Sequence, residues 1–191
     1  MINEKFLEEL KKDYQANESE RRQIISASNN ILFEAKKNIF ALQRQDFKVA
    51  EEKITGIEKS LKNLETRFGF ARLHREGAYK AAAEEYLEGK TLYLAIKNKK
   101  IEAVKDLHLD YESYLGGICD MIGELVRYAT NQAAKGKFGE VAKTKKMAED
   151  IMGQLIDFDM TGYLRTKYDQ SRGHLRKLEQ MTYEIKLRGK K

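Results

Sequence analysis

Four carboxylates in this chain are spaced so that they could do chemistry. Glu85 and Glu88 stand three residues apart in Glu84-Glu85-Tyr86-Leu87-Glu88, and Asp120 and Glu124 stand four apart in the apolar run from Leu115 to Val126. Residues three or four apart share a helical face, so each pair presents two acids together. If the two helices pack as antiparallel neighbours, three or four hard oxygen donors meet, which suits Mg²⁺ or Mn²⁺ rather than zinc. Such an ion makes a nucleophile of bound water and stabilises charge on a scissile phosphate. The plainer reading differs for the two pairs. Glu85 and Glu88 can be solvated surface acids with Lys80 and Lys90 nearby. Asp120, flanked by Ile118, Cys119, Met121 and Ile122, needs a partner because an unpaired buried carboxylate is costly. Arg127 or a lysine of another helix would supply it.

At about 100° per residue, Gly116, Gly117, Asp120, Gly123, Glu124 and Arg127 fall on one side of their helix, and Leu115, Ile118, Ile122 and Leu125 on the other. Each interior glycine costs about 1 kcal/mol relative to alanine, so the acidic side is expected to receive a close approach, from a packed helix or a ligand. Other templates fail. A di-iron bundle needs Glu-x-x-His, but Ala71, Lys105 and Ser171 precede His74, His108 and His174. Gly89-Lys90-Thr91 lacks the first glycine of a phosphate loop, since Glu84 stands there. Cys119 is the only cysteine, which excludes an intrachain disulfide and a cysteine zinc site and suits a small core residue.

The elements that must position these acids are helices. The 191 residues contain no proline, 35% charged and 41% hydrophobic residues, a composition that favours long helices in one domain, 1–191. Apolar periodicity predicts one or two helices over Ile2 to Gln43. It predicts further helices from an Asp46 cap to about Arg67, over Phe70 to Lys97, and briefly over Ile101 to Leu107. An Asp110 cap then opens a helix to about Ala134, followed by Phe138 to Phe158 and a last helix after Thr161. Seven helices with short links favour an all-α antiparallel bundle. The excess of 36 Lys and Arg over 30 Asp and Glu, +6, suits a polyanion without demanding one. No apolar run is long enough to span a membrane and no leader is evident, so a cytoplasmic location is expected. Basic clusters occur at Arg21-Arg22, at Arg72 with His74 and Arg75, at Lys143 to Lys146, and at Lys186 to Lys191. Arg72 to Arg75 lies close enough before Glu85 to hold phosphates beside it.

The segments His108-Leu109-Asp110-Tyr111-Glu112-Ser113-Tyr114-Leu115-Gly116-Gly117, Asp120-Met121-Ile122-Gly123-Glu124-Leu125, Leu164-Arg165-Thr166-Lys167-Tyr168-Asp169, Leu178-Glu179 and Leu187-Arg188-Gly189 occur in that order. Together with Glu85 to Glu88, Arg21 and Ala35 to Gln43, they make the chain resemble the translin family, and within it the translin-associated factor X (Trax) type. The resemblance implies a seven-helix fold and a homo-oligomeric shell, commonly an octamer, that encloses RNA. Trax-like subunits carry an acidic metal site and cleave RNA, whereas translin-like subunits lack those acids and mainly bind nucleic acid. Glu85, Glu88, Asp120 and Glu124 take the positions of the Trax acids. The family stretch Gln-Glu-Tyr-Val-Glu-Ala reads Glu84 to Gly89 here. The upstream basic segment is out of register and lacks a second histidine.

The expectation is thus a Mg²⁺- or Mn²⁺-dependent endoribonuclease for single-stranded or loosely structured RNA. Glu85, Glu88 and Asp120 hold the metal and orient water, Glu124 is a fourth ligand or neighbouring acid, and Arg21, Arg72 and His74 contact RNA. The alternatives are a noncatalytic protein that binds single-stranded RNA or DNA, with structural acids, and a helical scaffold without RNA.

Overall fold

Side-chain caps open three of the helices, two of them, at Asp46 and Asp110, where the sequence places them. Asn3 accepts from the Phe6 N–H at 3.1 Å, Asp46 from Val49 at 3.3 Å and Asp110 from Ser113 at 2.8 Å, each satisfying one orphan donor of a helix start. The computed structural model describes residues 2–188. Among them the helices are α1 (Glu4–Gln43), α2 (Phe47–Phe68), α3 (Phe70–Leu73), α4 (Gly77–Ile96), α5 (Tyr111–Ala134), α6 (Phe138–Leu155) and α7 (Gly162–Arg188), with a 3₁₀ turn at Ile156–Phe158. Gly189, Lys190 and Lys191, which end the last family segment and the basic tail, lie outside the described residues. No described helix is long and apolar enough to cross a membrane.

The expected number of helices is present, but two come from different segments. The helix expected over Phe70 to Lys97 is broken at His74 to Glu76, where Glu76 adopts an extended backbone before Gly77. Arg72 donates to Glu76 at 2.7 Å, and His74 approaches Asp110 at 3.2 Å, so side-chain partners replace the missing turn. The helix expected over Ile101 to Leu107 does not form. Asn98 and Asp106 take positive φ values of 53° and 63°, and the Val104 N–H donates to the Tyr114 hydroxyl at 2.7 Å. So short a helix is unstable alone; here Ile101, Val104, Leu107 and Leu109 pack on the core instead.

This irregular stretch sets the topology. The short links 44–46 and 135–137 give antiparallel neighbours, α1 with α2 and α5 with α6, as expected. Residues 97–110 instead return the chain to the far end, so α5 runs beside α4 in the same direction: Lys80 meets Glu112, and Gly117 abuts Glu84 to Glu88. Arg21 meets Glu76 while Asn38 meets Gly89, and Asp120 meets Lys167 while Gly123 meets His174. Thus α1, α4, α5 and α7 are co-directional, and α2 and α6 are the return helices. α4 lies between α1 and α5, and the core runs through Ile24, Ala35, Leu42, Ile57, Tyr86, Leu87, Met121, Ile122 and Leu178.

The α4–α5 contact requires glycine at one position above all. A Cβ on Gly117 would lie 2.9 Å from the Glu84 carbonyl oxygen, the Glu88 nitrogen and the Leu87 Cβ, two of them backbone atoms that cannot turn aside. Gly117→Ala is therefore expected to destabilise the fold by about 1–3 kcal/mol. Gly56→Ala, at an exposed helical position with nothing within 4 Å, should stabilise it by up to about 1 kcal/mol. Urea unfolding of the two variants checks both signs.

Candidate functional site

The four acids lie near one another across the α4–α5 contact, an acidic cluster along what we call the groove between these helices. Glu85 and Glu88 rise from α4, Asp120 and Glu124 from α5, and each of the α4 acids feels the charge of both α5 acids. The glycine strip serves helix packing: Gly117 admits the backbone of α4, Gly116 admits the Glu84 side chain, and Gly123 leaves room for His174, 3.2 Å from an added Cβ. Of the two kinds of close approach expected there, the structure shows the packed helix.

Lys80 and Lys90 do not neutralise the α4 acids. Lys80 reaches Glu112 at 3.5 Å and Lys90 reaches Glu58 at 2.8 Å, which draws both away from the groove. Burial, followed by the charges of Glu85, Asp120 and Glu124, pushes the Glu88 carboxyl up to about 8. Burial also raises Glu85, opposed by Lys36 of α1 and reinforced by Asp120 and Glu124. Asp120 is raised as well, burial outweighing the bond from Lys167.

Asp120 has the partner that its apolar neighbours demand, and it is a lysine of another helix. The Lys167 ammonium on α7 pairs with Asp120 and with Glu84, the latter at 2.9 Å, and the Tyr163 hydroxyl donates to the same Glu84 oxygen at 2.6 Å. Burial works against this ammonium, but its bonds to Asp120, Glu84 and Tyr163 win and hold it charged far above the ordinary lysine range. Glu124 is held from α1: buried Gln43 donates to its Oε2 at 2.7 Å and to its carbonyl at 2.9 Å, while the Gln43 amide oxygen accepts from Asn131 at 3.2 Å. Arg127 sits farther from Glu124, at 3.5 Å. His174 faces the same end of the groove, its basicity lowered by burial and by Lys177.

Among the described residues, no three His, Cys, Asp or Glu side chains converge closely enough to hold a metal ion. The acids share a groove, with Lys167 taking the cation's part at Asp120.

Arg21, Arg72 and His74 gather elsewhere, around Glu76 at the start of α4. Arg72 donates to Glu76 at 2.7 Å and Glu20 at 3.3 Å, and Arg21 lies 3.4 Å from the other Glu76 oxygen. His74 stacks on Phe70 at 3.8 Å and faces Asp110. The Arg72 and His74 side chains are 16% and 13% exposed, against 51% for Arg21, so Arg21 alone of the three offers a half-free cation. Lys167, Gln43 and Lys36 escaped sequence reasoning; only Asp120's need for a base pointed toward one of them.

A profile of the Translin family matches residues 19–189. An uncharacterised protein of Methanocaldococcus jannaschii is 30% identical over 171 residues, spanning 86% of this chain and 76% of that protein. Translin of Homo sapiens is 25% identical over 157 residues, spanning 73% of this chain and 68% of its own length. Among solved structures, apo-NeC3PO superposes with a TM-score of 0.81 at 26% identity, covering 96% of this chain and 97% of that one. The AfC3PO subunit of a duplex RNA complex reaches 0.83 at 22% identity, covering 95% and 96%, a likeness of fold. With nearly the whole helical body matched by the profile and a relative this similar, the chain belongs to the translin family.

Proposed function

We propose that this chain is the Trax-like, RNA-cleaving subunit of a homo-oligomeric shell, an octamer as the family resemblance implies, and that the acidic groove is its active site. The supporting observation is Glu88. Its carboxyl is pushed up to about 8 by burial and three neighbouring acids, with both nearby lysines drawn elsewhere. Of the four carboxylates, Asp120 has Lys167, Glu124 has Arg127 at 3.5 Å and Glu85 feels Lys36, while Glu88 has no cation of its own, and hard oxygen donors are the chemistry that Mg²⁺ or Mn²⁺ selects.

To hold the ion, Glu85, Glu88 and Asp120 would have to turn toward one another and Lys167 to release Asp120, with Glu124 as fourth ligand or neighbouring acid. When bound, the ion supplies a water of lowered pKa and offsets charge on the scissile phosphate. The protein's own groups prepare the site. Lys167 favours the ionised form of Asp120 against its burial and fixes it in place, while Gln43, itself held by Asn131, fixes Oε2 of Glu124. At neutral pH Glu88 retains a proton that it gives up when a cation replaces it. RNA as ligand is supported by the fold shared with AfC3PO, which has been seen with duplex RNA; single-stranded or loosely structured RNA is the proposed substrate.

A second reading has its own support. Lys167 stands where a cation would neutralise Asp120, and among the described residues three ligands do not converge. A noncatalytic protein that binds single-stranded RNA or DNA, with Asp120 in a structural ion pair, accounts for both facts.

Three measurements follow. Wild-type protein should cleave single-stranded RNA only with Mg²⁺ or Mn²⁺ and stop with chelator. Glu85→Ala or Asp120→Ala should abolish cleavage while keeping RNA affinity, because removing negative charge does not weaken phosphate contacts. Unchanged cleavage in both variants, free of contaminating nuclease, removes these acids as the active site, and no divalent-dependent cleavage by the wild-type protein leaves the binding reading. Arg21→Ala should weaken RNA binding and lower the slope of log K against log salt by about one, read by titration at several ionic strengths.

The proton on Glu88 gives a stability test. Its folded value of about 8 exceeds the ordinary 4.5, so the folded state binds a proton that the unfolded state releases. The stabilisation is full below the ordinary value and is lost as pH rises through the folded one. In chelator, Glu88→Gln should melt like wild type near pH 5 and higher by several degrees above pH 8, at about 2–4 °C per kcal/mol for a domain this size. Equal melting temperatures at both pH values would show that Glu88 does not hold the proton.

A further inference from the structure

One buried group has no answer within the fold. Gln132 of α5 is 1% exposed, yet neither its amide nitrogen nor its amide oxygen has a hydrogen-bond partner. Leaving both bonds unmade is costly, and because the amide carries donors and an acceptor side by side, a group that both donates and accepts would satisfy it. Gln132 is the most deeply buried residue lining a pocket of about 450 Å³, a size that suits a small ligand. The rest of the lining is Gln45 from the link before α2, Tyr128 one turn earlier on α5, and Lys137, Gly139 and Glu140 at the start of α6.

The outer part of the pocket has a definite sign. The first N–H groups of a helix find no acceptor within it, and Lys137, the residue ahead of α6, makes no side-chain cap. An anion is the ordinary partner of such an end. Gly139 stands in this first turn with nothing within 4 Å of an added Cβ, so the space over it is open. Glu140, the one acid of the lining, is drawn to Lys143 at 2.8 Å, and exposed Lys137 has no ion-pair partner among the described residues. An anion alone would leave Gln132 unanswered, and a neutral polar molecule would leave the helix start unanswered. A phosphomonoester with a hydroxyl or a base edge beside the phosphate answers both, since a Gln amide pairs well with a base edge.

We propose that this pocket binds a nucleoside 5′-monophosphate, with the phosphate on the first turn of α6 and Lys137 and the sugar or base on the Gln132 amide. The same chemical group occurs on a free nucleotide and at the 5′ end of an RNA strand. The site draws on none of the four acids, so its failure and that of the nuclease reading are separate events.

The test is calorimetric titration of the full chain in chelator. Adenosine 5′-monophosphate should bind saturably, and adenosine, which lacks the phosphate, much more weakly. Gly139→Asp sets a carboxylate where the phosphate would sit; it should cut nucleotide affinity by roughly tenfold or more while keeping or raising the melting temperature, because an acid in the first turn suits a helix start. Gln132→Leu exchanges the unpartnered amide for an apolar group of similar size; it should weaken the nucleotide on the order of tenfold without lowering the melting temperature, and leave the affinity for inorganic phosphate as it was. Displacement of the nucleotide by a 5′-phosphorylated single-stranded RNA, and not by its 5′-hydroxyl form, assigns the site to RNA ends; no displacement by either assigns it to the free nucleotide. Absence of nucleotide binding, or an unchanged affinity in Gly139→Asp, overturns the site. Inorganic phosphate binding as tightly as the nucleotide, with Gln132→Leu indifferent, reduces it to a bare helix end and overturns the proposal as well.

Discussion

The groove depends on how closely α4 approaches α5. At Gly117 the two backbones come so near that a single added carbon would sit 2.9 Å from the α4 main chain. That contact is made by apolar packing around Leu87, Met121 and Ile122, and it determines where the flanking residues go. Glu85 and Glu88 on one helix and Asp120 and Glu124 on the other are brought to a common groove by burial of their neighbours, against their mutual repulsion. The Ser171 hydroxyl donates to the Cys119 carbonyl at 2.7 Å, which seats α7 and brings Lys167 to Asp120.

Like charges gathered in this way must be compensated, and the protein does so differently at each. Asp120 receives a full positive charge, shared with Glu84, from a compact ammonium suited to bridging two carboxylates. Glu124 receives a neutral amide donor at 2.7 Å, which fixes one oxygen, and only the more distant charge of Arg127 at 3.5 Å. Glu88 receives neither and is compensated by its own proton. The site is therefore least settled where an incoming cation would gain most, and most settled where a salt bridge must first rearrange. That contrast is the physical content of the choice between a catalytic and a purely binding groove.

Local features of this architecture are readable from the residues. Asp46 and Asp110 cap helices because a short carboxylate ahead of an apolar-periodic stretch has few other uses. The glycine strip of α5 announces a close approach, and the apolar flanks of Asp120 announce a basic partner. What escapes are relations between distant segments. Lys167 lies 47 residues from Asp120 and Gln43 lies 81 from Glu124, and neither is marked by its neighbours. The break at His74 to Glu76 escapes in part for a related reason: the periodicity through Phe70 to Lys97 is helical, and beside the local Arg72–Glu76 bond the groups that meet the break come from Asp110 and from Arg21 on α1.

The co-directional run of α1 and α4 gives the surface a further order. Because the two helices advance together, Arg21 meets the start of α4 at Glu76, Lys36 acts on Glu85 and Asn38 meets Gly89. Positive charge on α1 thus accompanies α4 from the Glu76 cluster to the acids about two and a half turns later. A polyanion lying along this seam would meet Arg21, the half-exposed cation, before reaching the carboxylates, whose charge repels phosphate unless a cation intervenes. An antiparallel α1 and α4 would have placed Arg21 at the far end of α4, beyond the acids. The return stretch 97–110, which lets α5 run with α4, keeps Asp120 and Glu124 in the same progression. Arg21 and the acids therefore lie at separate levels along α4, so either can be altered by substitutions that leave the other's contacts intact.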